Sequence, residues 1–298
     1  MNAPAFRTYD EGDGMNNGIK TALLLGGLSG LLMWGGEAIA GPQGLMFGLL
    51  VAVGMNAFSY FFSEKMALSM YRAQPVTREQ NPVADGRVRP IVERLTQKMG
   101  LPMPKLWIIP EAAPNAFATG RNPEHSSVAM TEGLLAMMND RELEGVIAHE
   151  LGHVKHRDIL ISSVAATLAA ALTLLARIAM FGGIGRRDDD DEGSGYGGIL
   201  MLILAPIAAM LIQMAISRQR EYAADAAAAR YTGTPDGLIN ALHKLERGNE
   251  AIPMDASPST AHMFIFPPML GGLGRLFSTH PSMEDRIANL ESVRGQVA

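Results

Sequence analysis

The chain has no cysteine among its 298 residues. This excludes disulfides, thiolate metal ligands and a cysteine nucleophile, and it suits a reducing compartment. It also has no basic stripe: 25 Lys and Arg stand against 30 Asp and Glu, a net charge of −5, scattered apart from one aspartate cluster. Nucleic acid is therefore not an expected partner. No internal repeat at a solenoid period is present. What the chain has in quantity is apolar sequence, 48% of its residues. Four long runs take a large share of it and leave two polar blocks of ordinary globular composition.

The runs cover about Ile19–Ala40, Gly44–Phe62, Ile159–Phe181 and Ile199–Ile216. Each is close to the roughly 20 residues that a helix needs to cross a bilayer. Gly41-Pro42-Gln43 leaves room only for a tight hairpin between the first two. A signal peptide is the rival reading of the first run, because Ala38-Ile39-Ala40 looks like a cleavage site. Against it, the run exceeds a typical signal core of about 7–15 residues, Glu37 sits beside the supposed cut, and a second apolar run follows at once. Residues 1–18 are polar and rich in Gly, Asn and Asp, and read as a mobile tail. The expected organisation is this tail, a transmembrane hairpin over 19–63, a first catalytic segment over 64–157, a second hairpin over 158–216 and a second catalytic segment over 217–298.

Lys and Arg near the spans set the topology. Lys65, Arg72, Lys155, Arg157, Arg218 and Arg220 flank the polar blocks, and the first hairpin loop has neither residue. Arg186 and Arg187 in the second loop are a counter-signal, but the balance puts both blocks and the N-terminus on the cytoplasmic side. Asp188-Asp189-Asp190-Asp191-Glu192 in that loop reads as a solvated acidic run.

Within the polar blocks, helices are predicted over Arg87–Met99, Arg218–Tyr231, Pro235–Arg247 and Ser282–Val293. A strand is predicted over Lys105–Ile109, and a strand pair over Asn115–Thr119 and Ser126–Thr131. Asn139 followed by Glu142 is a capping box that opens a further helix. That helix carries His149-Glu150-Leu151-Gly152-His153. Positions i and i+4 share a helix face, so His149 and His153 can bind one metal ion, and Glu150 is placed to take a proton from a water that the metal activates.

Neutral histidines with a carboxylate suit zinc, whose catalytic sites use three protein ligands. His156 is a poor third ligand, because seven residues from His149 is ~10 Å along a helix. The metzincin extension also fails, since it needs Gly at 156 and His at 159, where this chain has His156 and Ile159. Glu221 is the better candidate. It lies about five residues after the fourth run, as His153 lies about six before the third. In a hairpin with both ends on one side, the two reach similar depth, ~8–9 Å from the bilayer edge. Asp225 shares the face of Glu221 and can accept a hydrogen bond from a ligand histidine, fixing its tautomer. The residues alone leave a non-catalytic scaffold with a structural zinc as the rival. Such sites normally close with four protein ligands, often cysteine.

Four motifs together give a wider resemblance: Asn115-Ala116-Phe117-Ala118-Thr119-Gly120, His149-Glu150-Leu151-Gly152-His153, Ser217-Arg218-Gln219-Arg220-Glu221-Tyr222-Ala223-Ala224-Asp225, and Ser278-Thr279-His280-Pro281. On these the chain resembles the HtpX-type membrane zinc metallopeptidases, relatives of the CAAX-type prenyl-protein endopeptidases, over nearly its whole length. The resemblance implies a mainly α integral membrane protein: four transmembrane helices plus a gluzincin-like α+β zinc-peptidase domain built from two cytoplasmic segments. It implies one zinc ion per subunit, held by His149, His153 and Glu221, with Glu150 as general base. Asn115, Ala116, Phe117 and Ala118 would form an edge strand that pairs with the substrate backbone. His280 would steady the oxyanion of the tetrahedral intermediate.

The expected activity is that of a zinc endopeptidase acting on membrane-protein and peptide substrates in the bacterial inner membrane. Its setting would be envelope quality control and stress response, with other quality-control proteases of the membrane as partners and the lipid bilayer as its surroundings. A prenyl-protein endopeptidase is the nearest enzymatic rival; four spans and a compact length argue against the larger membrane chamber it calls for. The Ala251–Gly274 stretch, with Met263, Phe264, Phe266 and Met269, would form a lid over the cleft or touch lipid.

Overall fold

The computed structural model describes residues 12–169, 218–254, 256–257, 260–266 and 281–296. The acidic run 188–192, the fourth apolar run, the third beyond Ala169, His280, Met269 and most of the N-terminal tail lie outside the described residues.

Helix α1 runs Gly12–Met70 in two arms, broken where Ala40 (φ −139°) and Gly41 (φ 59°, ψ −147°) leave helical geometry. Gly41 takes a conformation closed to most side chains, and Pro42 just after it suits the opening turn of the second arm. The arms fold back in close contact. A Cβ on Gly44 would lie 1.9 Å from the Gly36 carbonyl oxygen, and one on Gly48 2.4 Å from that of Leu32. Further along, the Asn56 amide donates to Ser29 Oγ at 2.9 Å. Leu23, Trp34, Phe47 and Leu50 point outward and are all exposed. A face of that composition needs an apolar surrounding. Among the described residues one helix, Ala40–Met70, is long and apolar enough to cross a membrane, with a mean hydropathy of 1.8.

The second arm enters the polar block directly. Glu64 accepts from Ser127 Oγ at 2.7 Å and pairs with Lys105 at 3.0 Å, fixing the arm to the sheet. Helix α2 spans Pro82–Met99 and buries Val88, Ile91, Val92, Leu95 and Met99. It begins five residues before the predicted start. Pro82 occupies the first turn, where a missing N–H costs nothing, while Val83 is exposed and so shows no core periodicity. Gly100, left-handed at φ 66°, ends the helix.

The sheet holds β1 (Gln74–Pro75), β2 (Lys105–Ile109), β3 (Ala116–Asn122) and β4 (His125–Thr131) in the order β1-β2-β4-β3. β2 and β4 are parallel, and β3 returns antiparallel to β4 at the edge. β1, at two residues, is too short to carry an alternation signal. Helix α3 (Glu132–Met137) is capped by Thr131.

Helix α4 (Asp140–Lys155) starts at the capping box: Glu142 N–H donates to Asn139 Oδ1 at 3.0 Å, and Asn139 N–H to Glu142 Oε2 at 2.8 Å. It is the hub of the domain. Beyond Arg157, which turns the chain at φ 58°, helix α5 (Asp158–Ala169) packs Val164, Ala165 and Leu168 against Leu24 and Leu28 of α1. Helices α6 (Arg218–Thr232), α7 (Asp236–Ala251) and α8 (Met283–Val293) complete the layer. Their contacts with α4 need small residues. A Cβ on Gly145 would meet Leu238 N at 2.5 Å, and one on Gly152 would lie 3.1 Å from Ala224 Cα. The second contact sets the spacing between the helices that carry His153 and Glu221.

The substitution Gly145→Ala forces backbone apart at the α4–α7 contact. It is expected to destabilise the fold by about 1–3 kcal/mol, as overpacked cores do, seen as a lower Tm in detergent; an unchanged Tm would show the contact to be loose.

Candidate metal centre

The three side chains named by their spacing converge. His149 Nε2 and His153 Nε2 lie 3.2 Å apart, one helical turn from each other on α4. From α6, Glu221 brings its carboxylate oxygens to 3.7 Å from His149 Nε2 and 3.6 Å from His153 Nε2. One ligand atom from each lies within 4.8 Å of the others. Ligand bonds of about 2.0–2.1 Å in a tetrahedron put donor atoms about 3.3 Å apart, so these three fit a single zinc ion. His156 is not in this group; it ends α4, its N–H donating to the Gly152 carbonyl at 2.9 Å.

Behind each histidine stands a carboxylate. Asp225, fully buried one turn beyond Glu221, lies 2.9 Å from His149 Nδ1, and Asp158 lies 3.0 Å from His153 Nδ1. Each accepts the Nδ1–H and leaves Nε2 facing the centre. Asp225 is itself held by Arg286 of α8, whose Nε and Nη2 reach its two oxygens at 2.9 and 2.6 Å. The third nitrogen of that guanidinium donates to the Ile265 carbonyl at 3.0 Å and lies 3.7 Å from Glu221. Arg286 is completely buried.

Sequence reasoning missed Arg286 and Asp158. Arg286 follows no local pattern, since a lone arginine in a short polar helix looks like surface charge. Asp158 had a usable signal: an acid at the mouth of an apolar run is costly unless something meets it.

The charges follow from this packing. Burial pushes the His149 pKa down, and Arg286 adds to the effect beyond what Asp225 restores, so the ring is neutral, the state in which an imidazole can take a metal. Burial would lower His153 too, but the Asp158 hydrogen bond and the Glu221 and Glu150 carboxylates outweigh it and lift the group to about 9. Burial works to raise Asp225, yet Arg286 and His149 hold it below the usual carboxylate range. Burial pushes Glu150 up to about 7, against the pull of His153 and of a hydrogen bond from the Ala118 backbone. Among the described residues Glu150 Oε1 has no hydrogen-bond partner, although it is buried. An unpaired buried oxygen beside converging ligands suits a group that handles a proton of a bound molecule.

Asn115, Ala116, Phe117 and Ala118 lie at the sheet edge, and all four are buried. The resemblance implies an edge open to substrate, but part of it is already taken. The Ile265 N–H donates to the Ala116 carbonyl at 3.0 Å. The Asn115 amide acts as a strand residue would, donating to the Phe266 carbonyl at 2.7 Å and accepting its N–H at 3.2 Å. Residues 264–266 thus pair with the start of β3, and Phe264 packs edge-on against Phe117 and Tyr71.

A His153 pKa lifted to about 9 keeps the ring protonated at pH 7, and a nitrogen that takes up a metal must give that proton up. Metal affinity is therefore expected to rise with pH up to about 9, by as much as about tenfold per unit for one proton. Titration calorimetry at pH 7 in buffers of different ionisation heat should find at least about one proton released per ion. Binding without proton release would contradict the paired state of His153.

The model for peptidase family M48 matches residues 82–294. A protease HtpX homolog of Desulfatibacillum aliphaticivorans is 54% identical over 287 residues, covering 95% of this chain and 91% of the relative. Another, of Syntrophobacter fumaroxidans, is 50% identical over 286 residues, covering 94% of this chain and all of the relative. The crystal structure of S. mikatae Ste24p shares the fold, with a TM-score of 0.51 at 20% identity over 93% of this chain; the chain spans 64% of that protein's length. On the strength of the family match and of relatives this similar over nine-tenths or more of their length, the chain belongs to peptidase family M48 and is a membrane metalloprotease of the HtpX type.

Proposed function

We propose that this chain is a zinc endopeptidase that cleaves misfolded or damaged membrane proteins at the cytoplasmic face of the bacterial inner membrane, in envelope quality control. The observation that carries the reading is the convergence of His149, His153 and Glu221 beside the unpaired, buried oxygen of Glu150. The prenyl-protein endopeptidase and the non-catalytic scaffold are not favoured, because the similar proteins are HtpX proteases over nearly the full chain.

His149, His153 and Glu221 hold the ion, and Asp225 keeps His149 in the tautomer that ligates. Zinc, when bound, supplies Lewis acidity that polarises the scissile carbonyl and makes water more acidic. Glu150 accepts the proton of the attacking water and passes it to the leaving amine. His280, by family resemblance, donates to the oxyanion. The substrate backbone lies along the β3 edge, whose Ala118 N–H already faces Glu150. Main-chain pairing of this kind binds peptides with little sequence preference.

The membrane arrangement is read from the sequence: four spans, with both catalytic segments and the N-terminus inside, as the balance of Lys and Arg flanks favours. The apolar outer face of α1 supports a lipid setting for the first two spans. Substrates drawn from the bilayer, and other quality-control proteases beside it, are the partners this position favours.

Two variants separate the roles. Glu150→Gln should keep its metal while cleavage of an unfolded membrane protein falls by roughly 10²–10⁴-fold. Glu221→Ala should lose the metal as well. Metal analysis and a cleavage assay in detergent read both, and wild-type turnover by Glu150→Gln would sink the assignment.

A further inference from the structure

His153 is in the last turn of α4, and Asp158 is the first residue of α5. Between them the chain breaks at Arg157, φ 58°, a left-handed conformation that an arginine adopts only when its surroundings hold it there. The break turns the first residue of α5 back toward α4, so that Asp158 Oδ2 meets His153 Nδ1 at 3.0 Å. Asp158 is buried, 3% exposed. Its α5 is anchored on two other sides. Val164, Ala165 and Leu168 pack on α1, and Ser163 Oγ bonds Thr119 Oγ of β3 at 2.8 Å.

We propose that Asp158 is a positioning residue for metal binding: it fixes the ring of His153 from the start of the apolar helix α5, so that retention of the ion depends on how that helix is seated. The proposal rests on the reading of His149, His153 and Glu221 as ligands. Two histidines ligate, and each needs its outer nitrogen tied down to aim the inner one. Asp225 does this for His149 from α6. For His153 the tie comes from a different element, the one that leads into the third apolar run. The two braces therefore report on different parts of the molecule, α6 and α8 for one ligand and the membrane-directed helix for the other.

A bland alternative exists for an aspartate at this place, since acids are favoured in the first turn of any helix. Side-chain reach separates the two. Asparagine can start a helix and still present an oxygen to His153 Nδ1; serine starts a helix equally well but is too short to reach the ring.

The test measures zinc affinity by chelator competition in the full chain in detergent, in a Glu150→Gln background so that self-cleavage cannot confound the titration. Asp158→Ala and Asp158→Ser should each weaken zinc binding by about 10–100-fold, and Asp158→Asn by clearly less, with helix content by circular dichroism unchanged. Should Asp158→Ala fail to fold, the Asn-against-Ser contrast still decides. Equal affinity of the Asn and Ser variants overturns the proposal, whether both bind well or both bind poorly. His153→Ala is the control for the underlying reading: undiminished affinity there removes the ligand set itself, whereas loss there with full affinity in Asp158→Ala rejects the positioning role alone.

Discussion

A guanidinium taken fully out of water costs several kcal/mol unless carboxylates meet it, and Arg286 is met by both oxygens of Asp225. From that pair the order of the centre follows. Asp225 is kept charged, so it accepts from His149; His149 is kept neutral, so its other nitrogen is free for a metal. The same guanidinium lies near Glu221 and bonds the Ile265 carbonyl, so it ties α6, α8 and the 264–266 segment into one unit. Losing one member would leave an unpaired charge in the interior, a penalty of about 3–5 kcal/mol. The ion pair is less a source of stability than a constraint on which arrangement of these elements is allowed.

That constraint works only because α4 can be approached closely. Gly145 and Gly152 leave no side chain between α4 and its neighbours, and alanines line the facing side of α6. Helices held this near bring a carboxylate from one within ligand distance of histidines from the other. Bulk at Gly152 would move the helix of Glu221 away from that of His149 and His153 before it touched any of the three.

The local part of this centre is legible in the sequence. His149, Glu150 and His153 share a helix whose capping box is itself a local signature, and Glu221 with Asp225 repeats the i, i+4 spacing on a second helix. The strand pair and the helices of the polar blocks follow from periodicity for the same reason. What escapes is long-range. Arg286 lies 61 residues from Asp225, and nothing near it in the chain announces a buried partner. Asp158 stands at the mouth of an apolar run in the sequence and against His153 in space. The early start of α2 escapes because exposed residues carry no pattern, and β1 because two residues cannot alternate.

The pairing of residues 264–266 with the start of β3 bears on association between molecules. An open strand edge is a template onto which another chain can add, and a longer edge is the greater hazard. Here the Asn115 side chain and the Ala116 carbonyl are already engaged by Phe266 and Ile265, and the Gly120 N–H meets Ser163 Oγ at 3.4 Å. Ala118 is engaged too, its N–H donating to the buried Glu150 carboxylate, so little of the β3 edge is left uncommitted among the described residues. A continuous ladder between two copies of the chain therefore has little of the β3 edge on which to grow. The packing that buries this edge thus also guards it against strand-by-strand association.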